Sequence, residues 1–315
     1  MKQTLSIQKL IATCLMFSFY VSCAPKKSNE LSNINLAEAS AIFGGQDSTI
    51  NFQKESGIVG LVIFIESILN GESTSICTGT LIDPQIVMTA AHCVTTGKNS
   101  RISRIAVVFI NDMNKITKAD VIFASVIAPH EDFLKDVNSD IENDPTTWND
   151  IALIKLKSPA LPGFKLAKLA QPKTNNLNNN GNIPNTLMLA GYGIATPIVN
   201  KEVIDPTTGE TEVVPAEDLE NSSGVLRQVS GITVTSVTAD QKEILLQQSM
   251  AKGACHGDSG GPAFFKQRNQ LVQVGITSRG TNKIGNCHEG AIYTNVIGHL
   301  DWIKTTAAKL LATKP

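Results

Sequence analysis

The sequence predicts an all-β domain closed by a C-terminal helix, and three observations carry that prediction. From Ile42 onward the chain is a series of short apolar runs, at 58–65, 105–110, 121–127, 151–156, 186–190, 232–237 and 271–277, split by Gly, Pro, Asn and Asp. Short β-branched runs between turn residues form strands joined by hairpins. Near the end, Leu300, Ile303, Ala307, Leu310 and Leu311 recur at helical spacing, so 296–311 is predicted as an amphipathic helix. Composition agrees: 42% hydrophobic against 17% charged residues supports a sizeable buried core rather than a disordered chain.

The chain has 315 residues and a net charge of −1, from 27 basic and 28 acidic side chains. That balance argues against a nucleic-acid partner, which calls for a basic excess. Beyond the N-terminus no apolar run is long enough to span a bilayer as a helix.

Residues 1–22 read as an export signal: Lys2 and Lys9 precede or open a short apolar stretch over 10–21. Tyr20-Val21-Ser22-Cys23 resembles the end of a bacterial lipoprotein signal, in which Cys23 is lipidated and becomes the new N-terminus. Tyr20 stands where that pattern usually has Leu, and the alternative is a plain secretory signal with an incidental Cys. Loss of 1–22 leaves a charge of −3. The resemblance implies an exported protein, at a bacterial outer membrane, in the periplasm, or secreted. Residues 23–41 are polar and read as a propeptide or linker ahead of a domain at 42–315. Within that domain 174–182 is Asn-rich and predicts a turn or loop. Residues 199–224 carry seven acids against Lys201 alone and predict a long acidic surface loop. The acid spacing lacks an EF-hand pattern, and no metal or cofactor is expected.

There are six cysteines. Cys14 leaves with the signal and Cys23 is the lipid acceptor. Cys77, Cys93, Cys255 and Cys287 remain; they contain no C-x-x-C pair, so zinc is disfavoured. An oxidising compartment favours two disulfides, with three connectivities open.

Three segments carry chemistry together: Thr89-Ala90-Ala91-His92-Cys93, Asn149-Asp150-Ile151-Ala152, and Gly257-Asp258-Ser259-Gly260-Gly261-Pro262. A Ser hydroxyl becomes a nucleophile when an imidazole takes its proton. A carboxylate then fixes the imidazole tautomer and stabilises the imidazolium. Backbone N–H groups beside a glycine can approach a developing oxyanion closely. Singly, Ser259 is a turn residue, His92 a buried histidine and Asp150 a strand-edge carboxylate. Their order and the flanking motifs override those readings.

With Cys77-Thr78-Gly79-Thr80-Leu81, Gly191-Tyr192-Gly193 and Ala291-Ile292-Tyr293-Thr294-Asn295, these segments resemble the chymotrypsin-like (trypsin-family) serine proteases from Ile42 to the C-terminus. The resemblance implies two packed six-stranded antiparallel β-barrels, with their boundary near 157–170. It implies Ser259 as nucleophile, His92 as general base and acid, and Asp150 as the orienting carboxylate. It further implies an oxyanion hole at Gly257 and Ser259, disulfides Cys77–Cys93 and Cys255–Cys287, and a monomer acting on proteins or peptides. His130, His256, His288 and His299 read as surface residues without catalytic roles, His256 and His288 lying near the pocket.

Ala41-Ile42-Phe43-Gly44-Gly45 resembles the family's activation site. Cleavage before Ile42 by an activating protease lets the new N-terminus pair with Asp258; Ala41 disfavours a trypsin-like activator. A lipid on Cys23 would then tether the zymogen, and the same cut would release the enzyme. By the same resemblance the substrate pocket involves Gly253 at its floor, Ser278, Gly280 and Ala291. A wide uncharged pocket favours an apolar or aromatic side chain, with basic second through Glu289 and acidic third. Arg279 departs from the family's usual Trp. The alternatives are a catalytically silent protease-like binding protein and a hydrolase of small esters or amides.

Overall fold

A computed structural model describes residues 42–68, 71–133, 149–172, 183–195, 201–204, 211–214, 223–282 and 286–313. The signal, Cys23, the linker with Ala41, and the Asn-rich 174–182 lie outside the described residues.

A short strand β1 (Gln46–Asp47) and helix α1 (Ile50–Ser56) precede the first barrel. Thr49 caps α1 by accepting the Phe52 N–H (3.1 Å), and Gly57 ends it in the left-handed conformation, φ 71°. The first barrel contains β2 (Ile58–Ser67), β3 (Gly71–Asp83), β4 (Ile86–Thr89), β5 (Ser100–Val108), β6 (Val121–Pro129) and β7 (Ala152–Leu156). It closes in the order β2-β3-β4-β7-β6-β5, with β5 returning to β2. The run in β2 is apolar at nearly every position because both faces are covered. Val59, Leu61 and Ile63 fill the barrel, while Ile58 and Val62 join Tyr192, Leu226 and Phe264 of the second half.

The second half contains β8 (Lys168–Leu169), β9 (Thr186–Gly191), β10 (Lys201–Ile204), β11 (Thr211–Val214), β12 (Arg227–Val237), β13 (Glu243–Gln247), β14 (Pro262–Gln267), β15 (Gln270–Gly280) and β16 (Gly290–Asn295). Six of these form a closed antiparallel ring, β12-β13-β16-β15-β14-β9, because β9 pairs back onto β12. β1 flanks β12, and β8 lies parallel to β15. Leu187, Leu189, Ile244, Leu246, Val274 and Tyr293 fill its core. Two closed six-stranded antiparallel barrels are therefore present, as the resemblance implies.

Part of the segment predicted as an acidic loop is paired as strands, while 199–200, 205–210 and 215–222 lie outside the described residues. Its β-branched positions pair β10 with β11 in register, from Lys201↔Val214 to Ile204↔Thr211. A strand-forming composition overrides the loop-like charge pattern there.

Helix α2 (Leu300–Ala312) packs Leu300, Ile303 and Leu310 onto the first barrel. Full burial of each such side chain contributes about 1.5–3 kcal/mol. The buried Lys155 of β7 donates from Nζ to the Thr313 carbonyl (2.6 Å), satisfying an oxygen at the helix end.

Candidate active site

Strand pairing brings the first two site residues together. β4 runs antiparallel to β7 with Thr89 opposite Ala152. The residues just after β4 and just before β7 are therefore neighbours. His92 opens a 3-10 turn, His92–Val94, and Asp150 precedes β7 by two residues. Asp150 Oδ2 lies 2.7 Å from His92 Nδ1, and Oδ1 accepts the His92 backbone N–H at 2.9 Å. Ser278 Oγ donates to Asp150 Oδ2 (2.7 Å), and Thr294 Oγ1 donates to the Asp150 carbonyl (2.8 Å). Asp150 is 1% exposed, so each of these partners offsets its desolvation. Ser278, expected with the substrate pocket, directs its hydroxyl to Asp150.

The two groups tune each other. Burial alone would lower the His92 pKa, but the charge and hydrogen bond of Asp150 outweigh it and raise it above the usual value; Arg279 pulls weakly the other way. Burial pushes Asp150 up, and the His92 interactions with the Ser278 bond more than reverse this, leaving it below the usual carboxylate range.

Ser259 belongs to the turn before β14. The Thr78 N–H donates to the Ser259 carbonyl (2.8 Å), and Thr78 Oγ1 donates to the Gly257 carbonyl (3.1 Å). Thr89 Oγ1 in turn donates to the Thr78 carbonyl (2.8 Å). The turn is thus fastened to the strands that lead to His92. Gly257 and Gly260 have φ of 90° and 79°, which disfavours side chains. A Cβ at Gly260 would also sit 2.0 Å from Thr89 Oγ1. Among the described residues, the N–H groups of Gly257 and Ser259 donate to no other protein group. Ser259 itself is half-exposed.

Two disulfides join these parts. Cys77–Cys93 ties β3 to the His92 turn, and Cys255–Cys287 ties the approach to Ser259 to the segment before β16. In the chain-entropy model loops of this size contribute about 3–4 kcal/mol each.

Asp258 is fully buried. Its Oδ1 accepts the Gly193 N–H (2.8 Å), its Oδ2 accepts the Cys255 N–H (2.9 Å), and the Ile42 backbone N–H also donates to it. Ile42 and Phe43 are buried, with Phe43 and Gly253 exchanging backbone bonds at 3.1 and 3.2 Å. Burial nevertheless pushes Asp258 up to about 7.

Two histidines correct the sequence reading. His130 and His299 are 6% and 1% exposed rather than superficial. His299 bonds the Asn295 carbonyl through Nδ1 (2.8 Å) and the Asn149 side-chain amide through Nε2 (3.0 Å). Burial pushes its pKa down to about 4. His130 stacks on Trp302 of α2, ring centres 4.9 Å apart. His130 also meets His299 edge-on, ring centres 5.8 Å apart, and His299 touches Asn149, the neighbour of Asp150. His256 is exposed and His288 half-buried.

Sequence reading missed one charged pair. Arg279 Nη2 lies 2.8 Å from Glu243 Oε1, with the two side chains 15% and 1% exposed. Arg279 Nη1 also donates to Ser278 Oγ (3.3 Å). A glutamate opening an apolar strand, and an arginine where the resembling family has Trp, were the available signals.

Comparison with known proteins bears on the family and the fold. The family model described as Trypsin matches residues 61–303. CLIP domain-containing serine protease B4 of Anopheles gambiae is 25% identical over 304 residues, covering 90% of this chain and 77% of that protein. Snake venom serine protease serpentokallikrein-2 of Protobothrops mucrosquamatus is 30% identical over 229 residues, covering 72% and 76%. Among solved structures, HL collagenase superposes with a TM-score of 0.59 at 20% identity, over 85% of this chain and 99% of that one. At that identity the likeness concerns the fold.

Proposed function

The chain belongs to the trypsin family of serine proteases, and on that basis we propose that it is an endopeptidase working through an acyl-enzyme. The observation that carries the reading is the His92 Nδ1–Asp150 Oδ2 contact of 2.7 Å, beside the Ser259 turn that Thr78 fastens to the same strands. Asp150 holds Nδ1 protonated, which leaves Nε2 as the base. Nε2 takes the Ser259 proton as Oγ attacks the peptide carbonyl. The N–H groups of Gly257 and Ser259 receive the oxyanion. The imidazolium, stabilised by Asp150, then protonates the leaving amine. Water repeats the sequence on the acyl-enzyme and restores Ser259. Proteins or peptides are the substrates, and no cofactor enters the chemistry.

The reading includes export and activation. Residues 1–22 direct export, and Cys23 carries a lipid that tethers a zymogen. An activating protease cuts between Ala41 and Ile42. The freed Ile42 ammonium then pairs with Asp258, which in the intact chain accepts the backbone N–H groups of Ile42, Gly193 and Cys255. That cut also separates the protease from its anchor. The disulfides suit an exported protein.

The test is a fluorophosphonate probe on the exported protein, with the labelled peptide and the N-terminus read by mass spectrometry. Labelling of Ser259 that disappears in His92→Ala, with an N-terminus at Ile42, is the expected result. No labelling on protein that begins at Ile42 favours the catalytically silent binding reading. Active protein still lipid-bound through Cys23, with the Ala41–Ile42 bond intact, overturns the release step.

A further inference from the structure

We propose that Gln248 forms the floor of the substrate pocket and restricts cleavage to bonds that follow small, uncharged side chains. The proposal rests on the protease reading above and names its substrate class. Gln248 directly follows β13 and is 3% exposed. Its Nε2 donates to the Ala254 carbonyl (3.1 Å) and to the Cys287 carbonyl, while Oε1 accepts the Ala254 N–H (2.6 Å). One amide therefore spans the two segments joined next door by the Cys255–Cys287 disulfide. These are the segment leading to Ser259 and the segment leading to β16.

Gly253 marks the depth of this bridge. A Cβ built on Gly253 would lie 2.6 Å from Gln248 Cδ, 2.7 Å from its Oε1 and 2.6 Å from Phe43 Cζ. The space a floor side chain would use is already filled by the Gln248 amide and the Phe43 ring. The amide is also held firmly. Swinging it out would strip partners from two carbonyls and an N–H in a buried place, and each such loss is costly. A wide pocket of the kind that uncharged Gly253, Gly280 and Ala291 suggest is thereby shortened.

The same bonds set polarity. Both Nε2 hydrogens are engaged, so the amide has no donor left for an acidic side chain. Glu289, the carboxylate expected to favour a basic side chain, is exposed, and its backbone carbonyl accepts the Gln248 N–H (3.3 Å) and Gln247 Nε2 (2.9 Å). Among the described residues an acidic side chain therefore finds no free donor on the amide, a basic one finds only the neutral amide oxygen rather than a carboxylate, and large apolar ones find no room.

The experiment uses the activated full protease with a peptide series that differs only in the residue before the cut: Ala, Val, Phe, Lys and Glu. The proposal expects kcat/KM for Ala or Val to exceed that for Phe, Lys and Glu by about tenfold or more. It then compares Gln248→Ala with Gln248→Met. Both remove the amide bridge, but only alanine opens the space. Gln248→Ala should raise the Phe-to-Ala ratio by about tenfold or more, and Gln248→Met should leave that ratio near the wild-type value. Wild-type preference for Phe or Lys overturns the proposal. Equal ratio changes in the two variants also overturn it, since they would reflect loss of the bridge alone. Cleavage of none of the peptides by protein that also resists the fluorophosphonate overturns the protease reading and this proposal with it.

Discussion

Asp150 holds His92 at two points, its Oδ2 2.7 Å from the ring Nδ1 and its Oδ1 2.9 Å from the backbone nitrogen. The second bond fixes where the residue sits, and the first fixes which ring nitrogen carries the proton. Asp150→Asn preserves shape but presents an amide that can stabilise the wrong tautomer. We expect kcat to fall by about 10⁴-fold, the loss established for the equivalent change in a protease of this family, with little change in fold. Steady-state kinetics beside circular dichroism checks this; a loss below tenfold would remove Asp150 from the catalytic role.

The pH profile follows from the same pair. His92 must be neutral to act as base, and its pKa is raised above the ordinary 6.5 by Asp150 against the opposing effect of burial. The acid limb of kcat/KM should therefore have its midpoint above 6.5. Arg279 weakly lowers the His92 pKa, so Arg279→Met should move the limb to still higher pH. A raised histidine pKa contributes stability below the unfolded value and loses it as pH rises through the folded one. Activity and unfolding measured on the same pH series test both signs.

Asp258 gives a prediction that separates the intact chain from the cut one. Its folded pKa is pushed up to about 7 from an ordinary 3.8, chiefly by burial. The folded state is then favoured while Asp258 is protonated, and stability falls as pH rises from about 4 through 7. An Ile42 ammonium would hold the carboxylate ionised and remove that fall. Thermal unfolding of the intact chain should therefore weaken between pH 5 and 8 more than that of protein starting at Ile42. Asp258→Asn in the intact chain should flatten the difference. Equal pH dependence in the two forms would contradict the ammonium–carboxylate pairing.

How far the sequence reached depends on the range of the forces involved. Strands such as β2 and β15 announce themselves because their β-branched runs are local. β3 did not, since its first half, Gly71 to Ser75, is polar and exposed, and its pairing with β2 is what makes it a strand. Helix α1 is too short for a period to show. His92, Asp150 and Ser259 could be singled out because their motifs are short and local, and the structure brings the first two into contact. Gln248, Glu243 and the burial of His130 could not. Gln248 acquires its role from Cys287, and His130 from Trp302 on the distant C-terminal helix. A residue type in sequence does not name the partner that covers it.

The Glu243–Arg279 pair yields a stability prediction with a pH signature. Glu243 opens β13 and Arg279 lies in β15, with β16 between them, so a side chain from each meets over the intervening strand. Removing one member of a buried pair leaves the other uncompensated, at a cost of about 3–5 kcal/mol. The two single changes should differ in how pH modifies that cost. In Arg279→Met the survivor is a carboxylate already pushed up to about 7 by burial, and loss of the arginine raises it further. It escapes the penalty by taking a proton, so the variant should be nearly as stable as wild type at pH 5 and markedly weaker at pH 8.5. In Glu243→Gln the survivor is a guanidinium that does not deprotonate, and the neutral amide stands in for the protonated Glu243 of the wild type, so the change should cost little at pH 5 and should not share the wild type's loss of stability as pH rises through 7. The double change Glu243→Leu with Arg279→Met removes both charges and should recover most of the loss, because apolar replacement of a buried pair is often neutral or stabilising. Urea unfolding of the four proteins at pH 5 and 8.5 measures the coupling. Strict additivity of the two single losses would mean that the pair does not interact across β16.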